Sequence, residues 1–289
     1  MKKLTYYLFE EEKELSVGRH LHFRVLELAV IWFAYKFCWY WISFMDRISD
    51  VVLPLGIAKY IDISFMFGSH YPRYIGIALT TSCILGYLRI GTKYMYSIGF
   101  ICFHLLFVAR YSLGEIPHSS NLTGISLLLI ALGFMFFKKK EERIAFIFGS
   151  IFFFTGLAYT SAGITKLIGT GINWSDGRHL WLWMTEKSVD HLGIYGFHEF
   201  NFLQQIAFEY IPFATLILTI GLLTELSGFL FWFRKTRPFI VIGIIGLHVG
   251  IFYFMNIWFH AFMVELLILG FPWGRWVDWL MKKLKFIRS

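Results

Sequence analysis

The chain has 289 residues, of which 57% are hydrophobic, 20% are aromatic and 16% are charged, and its formal net charge is +8. Soluble domains usually contain about 45–50% apolar and about 25% charged residues. This composition therefore excludes a water-soluble globule and predicts an integral membrane protein. The 33 Phe, 15 Tyr and 11 Trp beside only 6 Pro and 3 Cys also exclude a disordered chain and a disulfide-stapled secreted scaffold. The positive charge lies in short loops between apolar stretches, which indicates membrane topology rather than a nucleic-acid partner.

Apolar stretches that are long enough to cross a bilayer recur along most of the chain. A hydrocarbon core of roughly 30 Å needs about 20 mostly apolar residues in a helix. We therefore predict an all-α, polytopic helical bundle with about eight transmembrane helices, forming a single domain over 1–289. The predicted spans are about 25–45, 74–88, 94–113, 122–137, 144–168, 206–233 and 239–257, followed by one that begins near 259 and runs past 270.

Basic residues give these spans an orientation, because short cytoplasmic loops retain Lys and Arg. Four basic clusters fall on alternate turns of the eight-span arrangement, so we place all four clusters and both chain termini in the cytoplasm. The segment about 1–24 and the basic tail about 274–289 are then cytoplasmic, and the long loop about 169–205 faces the exterior or periplasm. The clusters are Arg89 with Lys93, Lys138 to Lys140 with Arg143, Arg234 and Lys235 with Arg237, and Lys282, Lys283, Lys285 and Arg288.

Polar side chains inside the predicted membrane region are the candidate functional residues. A charge at membrane depth costs about 2.5–3.5 kcal/mol on insertion scales, so each needs a partner, a cavity or a function. Glu27 and Glu225, nearer the cytoplasmic half, are expected to pair with basic residues at helix ends. At the exterior ends of the helices, by contrast, polar groups gather, and we expect a pocket there if those helix ends are neighbours. Its candidates are Arg110, His118, Asn121, Thr165, Lys166, Trp174 and Glu209, with His248 in the seventh span.

Lys166 is the most chemically suggestive of these residues. A poorly hydrated, aromatic cavity disfavours a charged amine, so a lysine held there can act as a general base near neutral pH. The alternative is a lysine whose ammonium extends to the lipid headgroups. His248 likewise is either part of a site or a core histidine hydrogen-bonded across helices. His191 and His198 are further apart in sequence than a usual helical metal pair, and no metal is expected.

The sequence around Lys166 resembles a known membrane family. It reads Ala162-Gly163-Ile164-Thr165-Lys166-Leu167 and then Trp174-Ser175-Asp176-Gly177. This Ala-Gly-x-x-Lys-Leu and Trp-x-x-Gly pattern is similar to that of the HTTM (horizontally transferred transmembrane) domain, whose animal relative is the membrane part of vitamin K-dependent gamma-carboxylase. DoxX-like membrane proteins share the Ala-Gly-x-x-Lys-Leu helix but are usually shorter four-span units. Looser matches to the HTTM family are His22-Phe23-Arg24, Pro117 to Asn121, and His248 to Phe262.

The resemblance implies quinone-linked chemistry of the lyase or oxidoreductase type. In the carboxylase the matched lysine is regarded as the base that deprotonates vitamin K hydroquinone. Reaction with O2 then gives a strong base, which removes a glutamate γ-proton before CO2 is added. Carried over, Lys166 takes the hydroquinone proton, and His118 assists the carboxylation step or holds the ionised intermediate. The implied cofactors are a reduced quinone, O2 and CO2, and the implied partner is a peptide, a small protein or another membrane protein.

Two hypotheses follow from these patterns. The carboxylase continues into a large lumenal region that holds its protein substrate, whereas this chain ends shortly after its last apolar segment. We therefore expect quinone-type chemistry or modification of a small peptide. The alternative is a non-catalytic, DoxX-like or accessory protein, in which Lys166, Glu209 and the histidines satisfy one another and shape a surface for a partner or a lipid-soluble ligand. Nucleotide-binding, zinc-protease and serine-hydrolase motifs do not occur in contexts that could use them.

Overall fold

The computed structural model describes residues 15–48, 53–114 and 118–288. These residues form eleven α-helices and no β-strand, which confirms the all-α expectation for this part of the chain. Five short 3-10 turns lie between them. The helices are α1 (Val17–Met45), α2 (Tyr71–Tyr87), α3 (Thr92–Ser112), α4 (Asn121–Phe136), α5 (Lys140–Thr170), α6 (Gly177–Tyr195), α7 (Phe202–Glu209), α8 (Ile211–Leu226), α9 (Arg237–Met255), α10 (His260–Gly270) and α11 (Trp273–Arg288).

Six helical segments are long and apolar enough to cross a membrane, which identifies a helical membrane protein. They contain α1, α3, α4, α5, α8 and α9, and they correspond to six of the predicted spans. The other two predicted spans are shorter: α2 has 17 residues and α10 has 11. At 1.5 Å per residue these helices measure roughly 26 Å and 17 Å, less than the hydrocarbon core of about 30 Å. By length and composition, the described residues therefore contain six candidate membrane spans.

The predicted sixth span, about 206–233, is wrong as a single helix. The helical segment is interrupted at Tyr210, between α7 and α8. After α8, residues Ser227–Trp232 form a 3-10 turn. Pro212 explains the break, because proline has no backbone N–H to donate to a preceding turn and is favoured in the first turn of a helix. As a result, Glu209 ends α7 and does not belong to the membrane-length helix.

Both ends of the chain carry more helix than the sequence indicated. Of the N-terminal segment about 1–24, residues 1–14 lie outside the described part, and α1 already begins at Val17. The Ser16 hydroxyl caps this helix by accepting a hydrogen bond from Arg19 N at 3.1 Å. The tail about 274–289 is the amphipathic helix α11. Its sequence combines Trp and Leu with Lys and Arg, which is typical of a helix that lies at a membrane surface.

The chain divides into two compact units. Among the described residues, unit 1 comprises Phe152–Gly270, and unit 2 comprises the chain up to Ile151 together with the segment that begins at Phe271. In unit 2, α1 packs against α2, α3, α4 and α11, and α2, α3 and α4 pack as consecutive neighbours. In unit 1, α6, α7 and α9 pack around α8. The single-domain organisation over 1–289 stays a prediction.

A close helix crossing fixes α11 in unit 2. Gly18 and Gly274 face each other, and a Cβ on Gly18 would lie 2.0 Å from the Gly274 carbonyl oxygen. The Gly18 N–H donates to Asp278 Oδ1 at 2.8 Å, which satisfies an amide that the first turn of α1 leaves unbonded. Small residues at such a crossing let two helix backbones approach closely.

Candidate functional site

A cavity of about 560 Å³ lies inside unit 1, bordered by α5, α6, α8 and α9. Small-molecule sites usually measure about 300–1,000 Å³, so this volume can hold a drug-sized ligand. Aliphatic and aromatic side chains and four glycines form most of its wall. Lys166 and Glu225 are the ionisable residues that line it.

Lys166 and Glu225 form an ion pair on the wall of this cavity. Lys166 Nζ donates hydrogen bonds to both carboxylate oxygens of Glu225, although the two residues are 59 positions apart. The side chains are 27% and 12% exposed, respectively. The pair is thus largely removed from water. In such a buried environment, opposite charges attract each other much more strongly than at a hydrated surface.

The sequence pattern around Lys166 explains how this pair forms. Gly163 lies three residues before Lys166, on the same face of α5. A Cβ at Gly163 would be 2.9 Å from Leu226 N and 3.0 Å from the Leu226 side chain. Because glycine has no side chain, α5 can approach the end of α8 closely enough for Lys166 to reach Glu225. The glycine of the Ala-Gly-x-x-Lys-Leu pattern therefore serves helix packing.

The second sequence pattern also borders the cavity. The Trp174 ring centroid lies 5.0 Å from Lys166 Nζ, within the range of a cation–π contact, and 5.4 Å from the Trp183 ring. Gly177 begins α6 against α8, where its N–H donates to Thr215 Oγ1 at 2.9 Å. A Cβ at Gly177 would be 2.7 Å from the Ile211 carbonyl oxygen. The Trp-x-x-Gly pattern thus supplies both an aromatic wall and a close helix contact.

Helix α9 lines part of the cavity with glycine backbone, which carries no side chains. Gly243, Gly246 and Gly250 all line the cavity, and their spacing places them on one face of the helix. A Cβ at Gly246 or Gly250 would meet no heavy atom within 4 Å, because it would project into open space. Glycine in a helix interior costs about 1 kcal/mol relative to alanine. These positions keep the cavity wide at some cost in helix stability.

Thr165 and Glu209, two further predicted site residues of unit 1, do not line the cavity. The Thr165 hydroxyl donates to the carbonyl oxygens of Ser161, at 2.6 Å, and Ala162, at 3.1 Å, so it bonds back to its own helix. Glu209 is exposed at the end of α7. The expectation that Glu209 helps to satisfy Lys166 is therefore corrected, since the carboxylate that does so is Glu225.

His248 is a buried histidine bonded across helices. The residue is 7% exposed, and its Nε2 lies 2.6 Å from the Tyr159 hydroxyl on α5. The rings of Phe259 and Phe262 pack on it, with centroids 4.7 and 5.4 Å away. This geometry matches the core-histidine interpretation. His248 is not among the residues that line the cavity.

The remaining predicted site residues belong to unit 2. Arg110 is buried in the last turn of α3, with its Cζ 4.6 Å from the Phe44 ring centroid. His118 and Asn121 are exposed where the 3-10 turn His118–Ser120 leads into α4. Pro117 lies outside the described residues. Of the predicted site residues, Lys166 and Trp174 thus line one cavity in unit 1. Arg110, His118 and Asn121 belong to unit 2.

His191 and His198 lie closer together than their sequence spacing indicates. Helix α6 ends at Tyr195, and Gly196, with a φ of 77°, turns the chain back. The two imidazole centroids are consequently 5.2 Å apart. In the parts of the chain that the structure describes, no group of three or more His, Cys, Asp or Glu side chains is placed to hold a metal ion.

Sequence reasoning missed three features of this site: Glu225 as the partner of Lys166, Trp183 as an aromatic wall, and the glycine face of α9. The sequence did contain a signal for the Lys166–Glu225 pair, because the two residues carry opposite charges that each need a counterion at membrane depth. The Gly-x-x-Gly-x-x-x-Gly spacing that begins at Gly243 was a signal for the glycine face of α9. No family model, curated protein or solved structure matches the chain.

Proposed function

We propose that this protein is a vitamin K-dependent gamma-carboxylase-like membrane protein of the HTTM type, which binds a reduced quinone in the unit 1 cavity and uses Lys166 as a general base. The observation that carries the proposal is the Lys166–Glu225 ion pair on the wall of an otherwise mostly apolar cavity. An apolar cavity by itself would suit many lipids. A charged pair that borders it selects a ligand with an ionisable or hydrogen-bonding group.

The cavity wall suits a flat amphiphile. Trp174 and Trp183 offer aromatic surface on which a planar ring can pack. Along α9, the backbone at Gly246 and Gly250 leaves room for an extended tail. The lining residues of α9 run from Gly243 to Met255, which corresponds to roughly 18 Å of helix. A ring with an attached apolar chain therefore fits the residues that are present.

Lys166 and Glu225 together can accept a proton. When bound, a reduced quinone supplies an ionisable hydroxyl and reducing electrons. Glu225 can hold the proton that Lys166 gives up, which leaves a neutral amine at Nζ. That amine can accept the proton of a ligand hydroxyl, and the resulting ammonium then stabilises the negative oxygen beside it. The Trp174 ring, whose centroid lies 5.0 Å from Lys166 Nζ, borders the same part of the cavity.

Two further parts of the proposal follow from the sequence rather than from the cavity. First, with α2 and α10 counted as short spans, the bundle has eight spans and both termini are cytoplasmic, as the basic clusters require. The active face is then exterior or periplasmic. Second, carboxylation with O2 and CO2, assisted by His118, is proposed on the resemblance alone.

The alternative function is non-catalytic binding of a lipid-soluble ligand or a partner. One observation favours it: Lys166 and Glu225 are hydrogen-bonded to each other, so the pair can be structural. The two functions differ in whether a bound quinol reacts.

The deciding experiment uses the full-length protein purified in detergent, with vitamin K hydroquinone as the probe. Binding is followed by quenching of Trp fluorescence, and reaction is followed by O2 consumption. We expect wild type to consume O2, and Lys166→Ala and Lys166→Arg to lose about 10²–10⁴-fold in rate. Lys187→Ala is the control, since Lys187 pairs with Asp190 and does not line the cavity. Binding without O2 consumption in wild type would support the alternative, and full activity in Lys166→Ala would exclude a lysine base.

A further inference from the structure

Three arginines of unit 2 converge around one carboxylate at one end of the helix bundle. Arg24 lies in α1, Arg89 in the turn between α2 and α3, and Arg143 in the first turns of α5. We call these three residues the arginine cluster. Because consecutive helices run in opposite directions, the start of α1, the α2–α3 turn and the start of α5 lie at the same end of this unit.

Glu27 is the carboxylate at the centre of the cluster, and its hydrogen-bonding capacity is used. Its side chain is fully buried. Arg89 donates to both of its oxygens, at 2.5 and 2.8 Å, and Arg24 donates to one of them at 2.9 Å. The Tyr96 hydroxyl adds a fourth hydrogen bond at 2.5 Å. Glu27 therefore pairs with basic residues at helix ends, as the sequence indicated, and it is saturated by them.

Arg143 forms no ion pair with a carboxylate in the described part of the chain, although Glu27 and Glu141 lie near enough to attract its charge. Its Cζ lies 4.1 Å from the Phe134 ring centroid, and Arg89 Cζ lies 4.9 Å from the same ring. No carboxylate among the described residues is paired with it, and its buried Nε has no hydrogen-bond acceptor there. The nearest acidic residues in sequence are Glu141 and Glu142, which are exposed, and Glu142 pairs with Lys139.

Among the described residues, the cluster therefore carries more positive than negative charge. Two of the three guanidinium groups bind the one buried carboxylate, Glu27, and the third, Arg143, has only exposed Glu141 and more distant Glu27 near its charge, which leaves an excess of positive charge in a half-buried environment. Arg24 and Arg89 still expose 21% and 36% of their side chains. The positive end of the α5 dipole lies at Lys140, close in sequence to Arg143. A half-buried cation without a counterion is costly, and an anion from outside the chain would remove that cost.

We propose that the arginine cluster binds a phosphate group. A phosphate carries between one and two negative charges, which matches the excess, and guanidinium groups bind phosphate oxygens through paired N–H donors. Arg143 is the principal contact, because the other two arginines are already engaged by Glu27. The phosphate comes from an anionic lipid headgroup or from a soluble phosphate. Basic pockets between helix ends at the cytoplasmic side of membrane proteins are a usual location for lipid headgroups.

The test uses the full-length protein, delipidated in detergent, and it is independent of the cavity in unit 1. The probes are dioleoylphosphatidylglycerol, dioleoylphosphatidylcholine and inorganic phosphate, and binding is measured by native mass spectrometry and by the shift in melting temperature. We expect the anionic lipid to bind wild type and Arg143→Gln to bind it at least tenfold more weakly. Arg178→Gln is the matched control, since it removes the same charge from an exposed position in unit 1.

The probes also distinguish the two sources of the phosphate. Binding of the anionic lipid without an effect of inorganic phosphate assigns a lipid headgroup, and competition by inorganic phosphate assigns a soluble phosphate. The proposal is overturned if neither probe binds, or if Arg143→Gln and Arg178→Gln bind as wild type does. If Arg143→Gln yields no folded protein, Arg143→Lys decides the question. It keeps the charge and loses the paired donors, so unchanged binding in that variant also overturns the proposal.

Discussion

Lys166 on α5 donates hydrogen bonds to both carboxylate oxygens of Glu225 on α8, across the wall of the unit 1 cavity. Neither side chain is hydrated enough for the interaction to resemble a surface salt bridge, which is worth about 0–1 kcal/mol. Removing one partner of a buried pair leaves the other charge uncompensated and costs about 3–5 kcal/mol. The pair therefore contributes to the stability of unit 1, and the proposed proton transfer depends on it.

The first prediction concerns Glu225→Gln. Glutamine keeps the shape of the side chain but cannot hold the proton that Lys166 gives up. We expect O2 consumption with vitamin K hydroquinone to fall by about 10²-fold or more, while the hydroquinone still quenches Trp fluorescence. Glu209→Gln, which changes an exposed carboxylate outside the cavity, is the control. Equal activity in Glu225→Gln and wild type would contradict the role given to Glu225.

A second prediction uses the open space at Gly246. Leucine at this position would extend into the cavity without meeting another heavy atom at its Cβ. We expect Gly246→Leu to abolish quinol binding and to raise stability by roughly 0.5–1 kcal/mol, because leucine favours a helix more than glycine does. Fluorescence quenching and the melting temperature measure the two effects.

The matched control is Gly193→Leu, which fills open space on α6, away from the cavity. It is expected to gain similar helix stability and to bind the ligand as wild type does. Wild-type binding in Gly246→Leu would show that the ligand lies elsewhere.

The third prediction concerns the crossing of α5 and α8. A side chain at Gly163 would collide with backbone at Leu226, which cannot move as a flexible side chain can. We expect Gly163→Leu to destabilise the protein by about 1–3 kcal/mol or more and to lower its folded yield. Gly169→Leu lies on the same helix in open space, and it is expected to express normally. Size-exclusion chromatography and thermal unfolding would compare the two, and equal stability would refute a packing role for Gly163.

The fourth prediction tests membrane orientation with single cysteines in a background without Cys38, Cys83 and Cys102. A membrane-impermeant maleimide is expected to label Val189→Cys in intact cells, because α6 belongs to the predicted exterior loop and Val189 is exposed. Lys283→Cys is expected to react only after the cells are permeabilised. Labelling of both positions in intact cells would place the C-terminus outside and disprove the eight-span topology.

The membrane character and the helices could be predicted from the sequence because both depend on local composition. Long apolar stretches identify the membrane-length helices α1, α3, α4, α5, α8 and α9, since a helix in lipid satisfies its own backbone hydrogen bonds. The helix break at Tyr210 could also have been predicted from the sequence, because Pro212 disrupts the adjacent turn. The prediction of a single span over 206–233 did not take Pro212 into account.

The partner of Lys166 and the cavity could not be predicted in this way. Lys166 and Glu225 are 59 residues apart, and their contact depends on how closely Gly163 lets α5 approach α8. The same packing decides that Gly246 and Gly250 face open space rather than a neighbouring helix. By itself, the sequence determined that this is a helical membrane protein with a lysine at the end of a long helix, because helix formation is local. Only the tertiary structure decided that this lysine has a carboxylate partner and borders a cavity, because contacts between helices depend on side-chain packing over the whole unit.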